Sequence, residues 1–335
     1  MNMTMRVAWL WLVCAATGIR AQQPIIGLIT KTETNPFFVN MKEGAARAAR
    51  AQGAKLITGA GKSDGDNASQ LAHLENMIAA GAKTVLITPS DSRAIVPAIR
   101  KARAAGIMVI ALDSPADPPN ATDALFATDN YEAGTLIGRY AKAIFGGRRA
   151  IIAMLDLLPG HPVGAQRHNG FLRGFGIPSL GASSNQLAKS PAVVCMQDTF
   201  GDQAKGQSVM ENCLQQHPDI NLVYTVNEPT AAGAFHALKS IGREKSVMIV
   251  SVDGGCGGVR NVKGGVIAAT AQQYPERMAT LGVDAAVAYA RTGHKATGYV
   301  NTGVTLITDT PVPGVPSRST AFGLTGCWGA TQATR

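Results

Sequence analysis

Residues 25–51 read IIGLITKTETNPFFVNMKEGAARAARA, and this stretch decides the fold. Ile25–Ile29 is a short apolar run of the kind that forms a strand buried on both faces. Asn35 is a good N-cap and Pro36 a good first helical residue, so the alanine-rich stretch Pro36–Ala51 predicts a helix directly behind the strand. The alternation then repeats. Apolar runs at Lys55–Thr58, Thr84–Thr88 and Met108–Leu112 alternate with helical patterns at Ala68–Ala80 and Ser92–Ala105. Gly53, Gly81 and Gly106 each stand just past a helical stretch, where a left-handed cap is favoured. Strands and helices in this order form a parallel α/β unit.

A second series follows the first. Strands are expected near Ala150–Leu155, Ala192–Met196, Leu222–Thr225 and Val247–Val252, with helices near Glu132–Ile144, Val163–Phe175, Gln203–Gln216 and Thr230–Ser240. Past Gly265 come another strand (Ile267–Ala271) and helix (Pro275–Ala290), then an irregular, proline-rich tail from Asp309 to Gly329. The two series divide near Ala127. An α/β fold of two doubly wound parallel-sheet lobes joined by a hinge fits this pattern better than one long sheet.

Bulk composition agrees: 335 residues, 46% hydrophobic and 16% charged, suit a compact chain with two cores. Residues 1–21 hold Arg6, an apolar run Val7–Ala16, Gly18 and Ala21, the order of a secretory signal peptide cleaved after Ala21. Its apolar run is too short to span a bilayer, so a periplasmic, soluble protein is expected. The formal charge of +9 falls to +7 without Arg6 and Arg20. The basic residues are spread without an aromatic-interleaved cluster, so no nucleic-acid partner is expected. Four cysteines remain past the leader, and an even number in an exported chain favours disulfides. Spacing alone leaves the connectivity open. Cys195–Cys213, closing a short strand-to-helix loop, and Cys256–Cys327, pinning the tail to the turn after Asp253, are the expected pairs. Neither Cys-x-x-Cys nor His-x-x-x-His occurs, so no metal and no cofactor is expected. Gly59–Ser63 resembles part of a phosphate loop, but Leu56 stands where its first glycine belongs, and Gly254–Gly258 lacks dinucleotide spacing. Both read as tight turns.

In an open parallel sheet, ligands bind beyond the carboxyl ends of the strands. Asp113, Asn227 and Asp253 stand at such ends, and the first strand runs into Thr30–Phe38. Two adjacent phenylalanines cannot both face one side of a helix, so at least one is expected to look into the space above the strand. The segments Thr34–Val39, Val109–Asp113, Arg167–Phe171, Asn227–Glu228, Val252–Gly254 and Gln273–Pro275 occur in an order that resembles the periplasmic sugar-binding proteins of the ribose-binding type. These are type I periplasmic binding proteins, and the resemblance runs from Pro24 to about Val304.

The resemblance implies a cage for one monosaccharide. Phe37, Phe38 and Phe200 would stack on its apolar faces, while Asn35, Asp113, Arg167, Asn227, Asp253 and Gln273 would hydrogen-bond its hydroxyls. Hydroxyls both donate and accept, which suits this mixture of carboxylates, amides and a guanidinium. An Arg between Asp113 and Asp253 is expected to hold both ionised, favouring binding over glycoside hydrolysis, which needs one protonated carboxyl; no enzymatic activity is expected. Lys31, Glu33, Ser114 and Glu228 depart from the ribose pattern at the pocket rim. With the Thr-Asn-Pro-Phe-Phe run and the Cys-Trp tail, they look more like the fructose-binding subgroup. The expected plan is a leader (1–21), an N-terminal lobe (22–127, completed by about 274–303), a C-terminal lobe (128–273), and a hinge crossing and tail (304–335). The implied protein is monomeric and delivers its sugar to an ABC permease in the inner membrane. A sugar receptor for a membrane sensor uses the same fold; a LacI-like regulator core would need a helix-turn-helix where the leader stands.

Overall fold

The computed structural model describes residues 23–329, so the expected leader lies outside the described residues. Two six-stranded sheets form the two lobes. The first contains β1 (Ile25–Thr30), β2 (Lys55–Ala60), β3 (Thr84–Ile87), β4 (Met108–Leu112), β5 (Ala124–Ala127) and the late-returning β11 (Gly298–Asn301), in the order β11-β5-β4-β3-β1-β2. The second contains β6 (Ile152–Asp156), β7 (Val193–Asp198), β8 (Leu222–Thr225), β9 (Met248–Asp253), β10 (Ala269–Gln272) and β12 (Thr305–Ile307), in the order β12-β10-β9-β8-β6-β7. Every pairing is parallel except β10 with β12.

Helices cover both faces of each sheet, as parallel sheets require. In the N-terminal lobe α1 (Pro36–Ala51) and α9 (Pro275–Thr292) share one core with Leu86, Ile110 and Leu112, and α2 (Asn67–Ala79) and α3 (Val96–Ala104) share the other with Ile29, Val85 and Val109. In the C-terminal lobe α4 (Asn130–Phe145) and α5 (Pro162–Phe175) pack on one face, and α6 (Gln203–Gln216) and α7 (Glu228–Ser240) on the other. The chain passes between the sheets after β5, after β10 and after β11. Asn35 caps α1 by accepting from the Phe37 amide at 3.0 Å, with Pro36 at the first position.

Two expectations need correction. β2 is not buried on both faces: it is the edge strand of its sheet and half-exposed along its length. The tail is not wholly irregular, because α8 (Cys256–Lys263) packs against a short helix, α10 (Thr320–Gly326), capped by Ser319. Both disulfides have the expected partners, with Cα–Cα separations of 5.7 Å for Cys195–Cys213 and 4.9 Å for Cys256–Cys327.

Candidate functional site

Between the lobes, at the carboxyl ends of both sheets, lies a small cavity of about 40 Å³. Lys31, Asn35, Phe37, Phe38, Asp64 and Asp113 line it from the N-terminal lobe. Leu157, Val163, Arg167, Val226, Asn227 and Asp253 line it from the other, and Gln273 from the crossing after β10. Nine of the ten residues expected from sequence thus meet in one place.

The C-terminal half is bonded to itself. Arg167, buried on α5, donates through Nε to Asn130 Oδ1 (2.7 Å) and through Nη1 to the Val226 carbonyl (2.8 Å), with Asp253 Oδ1 3.5 Å away. Gln273 Nε2 donates to Asp253 Oδ1 at 2.8 Å. Asn227 donates to the Gly201 carbonyl (3.0 Å) and accepts from the Thr230 amide (3.1 Å), so both ends of its amide hold the loop and helix behind it. In the N-terminal half, Asp113 Oδ2 accepts from Ser114 Oγ at 2.9 Å, while its buried Oδ1 has no donor. Gln273 Oε1 is likewise a buried acceptor without a donor. Lys31 reaches across the cleft: its ammonium lies 2.6 Å from His161 Nε2 and 3.6 Å from Asp64. Asn185 and Asp117 make a second bridge between lobes at 3.2 Å.

A family model described as a periplasmic binding protein domain matches residues 26–295. The chain belongs to this periplasmic binding protein family. It is 33% identical over 261 residues to the ribose import binding protein RbsB of Bacillus subtilis, covering 78% of this chain and 80% of that one. It is 28% identical over 298 residues to a D-ribose/D-allose-binding protein of Pseudomonas aeruginosa, covering 86% and 89% respectively. Among solved structures, a solute-binding protein of Actinobacillus succinogenes with bound D-allose superposes with a TM-score of 0.74 at 27% identity, over 85% of this chain and 98% of that one. Membership in a family of binding proteins fits a site with the means to hold a ligand rather than to transform it.

Backbone strain marks two residues of the same site, Asp113 and Asp253. Among the described residues only three other than glycine have positive φ: Asp113 (62°), Phe200 (52°) and Asp253 (137°). Such conformations cost about 1–3 kcal/mol and cluster at ligand sites. After Asp253, Gly254 has φ 68° and a Cβ there would strike Gln272; a Cβ on Gly258 would strike the Glu228 carboxyl. The glycine run that mimics a nucleotide loop therefore serves close packing.

The carboxyls do not titrate as expected from Arg167 alone. Burial is the largest influence on Asp113 and raises its pKa, against the charges of Lys31 and Arg167. Burial also raises Asp253, against Arg167 and the Gln273 bond. Desolvation thus outweighs Arg167 in setting the direction of both shifts. The placing of Glu228 at the pocket rim is corrected. It does not line this cavity but turns inward, accepting from the amides of Gly254 (2.8 Å) and Gly255 (3.0 Å) and from Thr270 Oγ1 (2.8 Å). Burial, then the charge of Asp253, pushes its pKa up.

Phe200 is the expected residue that does not reach the cavity. The left-handed backbone at Phe200 and Gly201 turns the chain there, and the Lys205 ammonium sits 3.4 Å from the ring centroid. Leu157 and Val163 supply the apolar surface of the C-terminal half instead. Sequence reading also missed Asp64 and His161. Both lie in loops beyond strand ends, and the strand-end rule that selected Asp113 would have included them had it been applied to every loop.

Proposed function

We propose that this chain is the periplasmic solute-binding component of a sugar ABC importer, closing two lobes on one neutral monosaccharide and handing it to a permease. The observation that carries this reading is the pair of buried acceptors without donors, Asp113 Oδ1 and Gln273 Oε1, in a cavity walled by Phe37 and Phe38. Buried acceptors call for hydroxyl donors, and aromatic rings suit the apolar face of a sugar. Lys31, Arg167, Asp64, Asp113 and Asp253 nearly balance in charge, which suits an uncharged ligand. Relatives named for ribose and allose support the class.

Within that class a ketohexose such as fructose is the favoured ligand, because Lys31 and Ser114 are where the chain leaves the ribose pattern. The protein acts as a monomer, exported by its leader. Titration calorimetry with D-fructose, D-allose, D-ribose and myo-inositol tests the reading. One of the sugars is expected to bind with a single site and to reduce the radius of gyration in solution scattering, since a ligand touching both lobes favours the closed form. Absence of binding by every monosaccharide sinks it. Preference for allose or ribose over fructose keeps the importer role and removes fructose.

A further inference from the structure

The family match ends at residue 295, yet the tail beyond it returns to the ligand cavity. Trp328 is 8% exposed and belongs to the apolar core of the N-terminal lobe. Its ring meets Phe37 edge to face, 5.3 Å between centroids at 79°, and Phe37 in turn meets Phe38 at 5.3 Å and 87°. The backbone of Trp328 is held by the opposite lobe. Its carbonyl accepts from the Cys256 amide at 2.8 Å, and its neighbour Cys327 is bonded to Cys256, the first residue of α8. Its indole Nε1 donates to the Gln273 carbonyl at 2.8 Å, on the crossing after β10. The ring also lies against Gly255, where a Cβ would come within 3.3 Å of it.

One residue therefore touches a cavity wall in one lobe, the Asp253 turn in the other and the chain crossing between them. We propose that Trp328, anchored by the Cys256–Cys327 disulfide, is a positioning residue for ligand binding. It backs the Phe37 ring from behind and couples its orientation to the Asp253–Gln273 pair. This rests on the monosaccharide reading and adds to it a dependence of affinity on a tail outside the family match. Edge-to-face aromatic pairs prefer a defined geometry, so removing the indole frees Phe37 to leave the plane needed for stacking. Cutting the disulfide frees the tail that carries the indole.

The test uses the protein without its expected leader, in which Trp328 is the sole tryptophan. D-Fructose, D-allose and D-ribose are titrated in turn by calorimetry and by emission. Saturation is expected to shift the Trp328 emission, Trp328→Ala to weaken binding by about tenfold, and Trp328→Phe to recover part of the loss. Cys256→Ala with Cys327→Ala is expected to weaken binding in the same direction, whereas Cys195→Ala with Cys213→Ala, in a disulfide remote from the cavity, leaves affinity unchanged. Circular dichroism checks folding, and Trp328→Phe keeps the core filled should the alanine variant unfold. No binding of any of the three sugars by the parent chain overturns the proposed function and this inference with it. Binding by the parent with equal affinity in Trp328→Ala and Trp328→Phe, or emission indifferent to saturation, overturns this inference alone.

Discussion

The two halves of the cavity differ in how finished they are. On the C-terminal side, Arg167 and Asn227 already bond to their own lobe, and Gln273 Nε2 bonds to Asp253. On the N-terminal side, Asp113 is buried with one oxygen lacking a donor, beside two rings that offer only an apolar surface. The difference teaches which side is scaffold and which side is completed by a ligand. Substitutions in the first should cost both stability and binding; substitutions in the second should cost binding alone.

Arg167→Ala gives the largest expected effect. It leaves Asn130 Oδ1 and the Val226 carbonyl without donors and the Asp253 carboxyl without its cation. Breaking a buried charged cluster by removing one partner costs about 3–5 kcal/mol. A large drop in thermal midpoint together with loss of sugar binding is expected, by calorimetric unfolding and titration. A stable variant that still binds would mean that the C-terminal half is not the scaffold.

Asp113→Asn should separate the two properties. Asn tolerates a left-handed backbone, keeps the shape and removes a charge whose burial is unfavourable, as the raised pKa shows. Loss of a charge-assisted bond to a sugar hydroxyl costs about 1.5–3 kcal/mol, roughly ten- to hundredfold in affinity. The unliganded protein should be as stable as the parent or more so at neutral pH. If Asp113→Asn instead lowers the thermal midpoint as Arg167→Ala does, the two halves are alike and the contrast fails.

Strand ends in a parallel sheet converge, so periodicity placed Asp113, Asn227 and Asp253 at candidate positions, and the resemblance to the ribose-binding type gave them their expected role. Asn35 and Pro36 announced themselves as a helix start. What stayed hidden depends on tertiary neighbours. The short β5, the exposed β11 and β12 carry no periodic pattern of their own, and each exists by pairing with a strand already in place. The inward turn of Glu228 follows from the space above Gly258, which no local pattern encodes. Trp328 reached the core of the far lobe through a disulfide bridging 71 positions in the chain.

Rigidity of the C-terminal half should also respond to pH. His168, next to Arg167 on α5, places Nδ1 3.0 Å from the Asp156 carboxylate and Nε2 2.9 Å from the Ala188 carbonyl. Both partners accept, so the site favours the imidazolium, which donates from both nitrogens. Burial opposes that charge, but Asp156 and the Ala188 bond together leave the pKa raised. A raised folded value means the contribution is complete below the ordinary value of about 6.5 and is lost as pH climbs through the folded value. Asp253 and Glu228, also raised, act in the same sense: the folded state holds their protons more tightly, so stability falls as pH rises past the ordinary carboxylate range. Denaturant unfolding should therefore show stability declining from pH 6 to 9, less steeply in His168→Asn. A rise over that interval would contradict the ion pair.

Phe200→Ala carries the smallest expected effect and tests the contrast at its edge. If the C-terminal half stacked an aromatic ring on the ligand, it would share the N-terminal half's character and Phe200 would be its ring. The structure instead gives that surface to Leu157 and Val163 and turns Phe200 under the Lys205 ammonium, a cation–π contact worth about 0.5–1 kcal/mol at an exposed site. Its removal should therefore change sugar affinity by no more than about twofold and lower stability by about that contact. Leu157→Ala, by contrast, should weaken binding several-fold by removing apolar surface from the cavity wall. Titration of both variants against the same sugar decides the matter. A loss of tenfold or more in Phe200→Ala with little change in Leu157→Ala would place the ring over the ligand in the bound form and make the two halves equal partners in stacking.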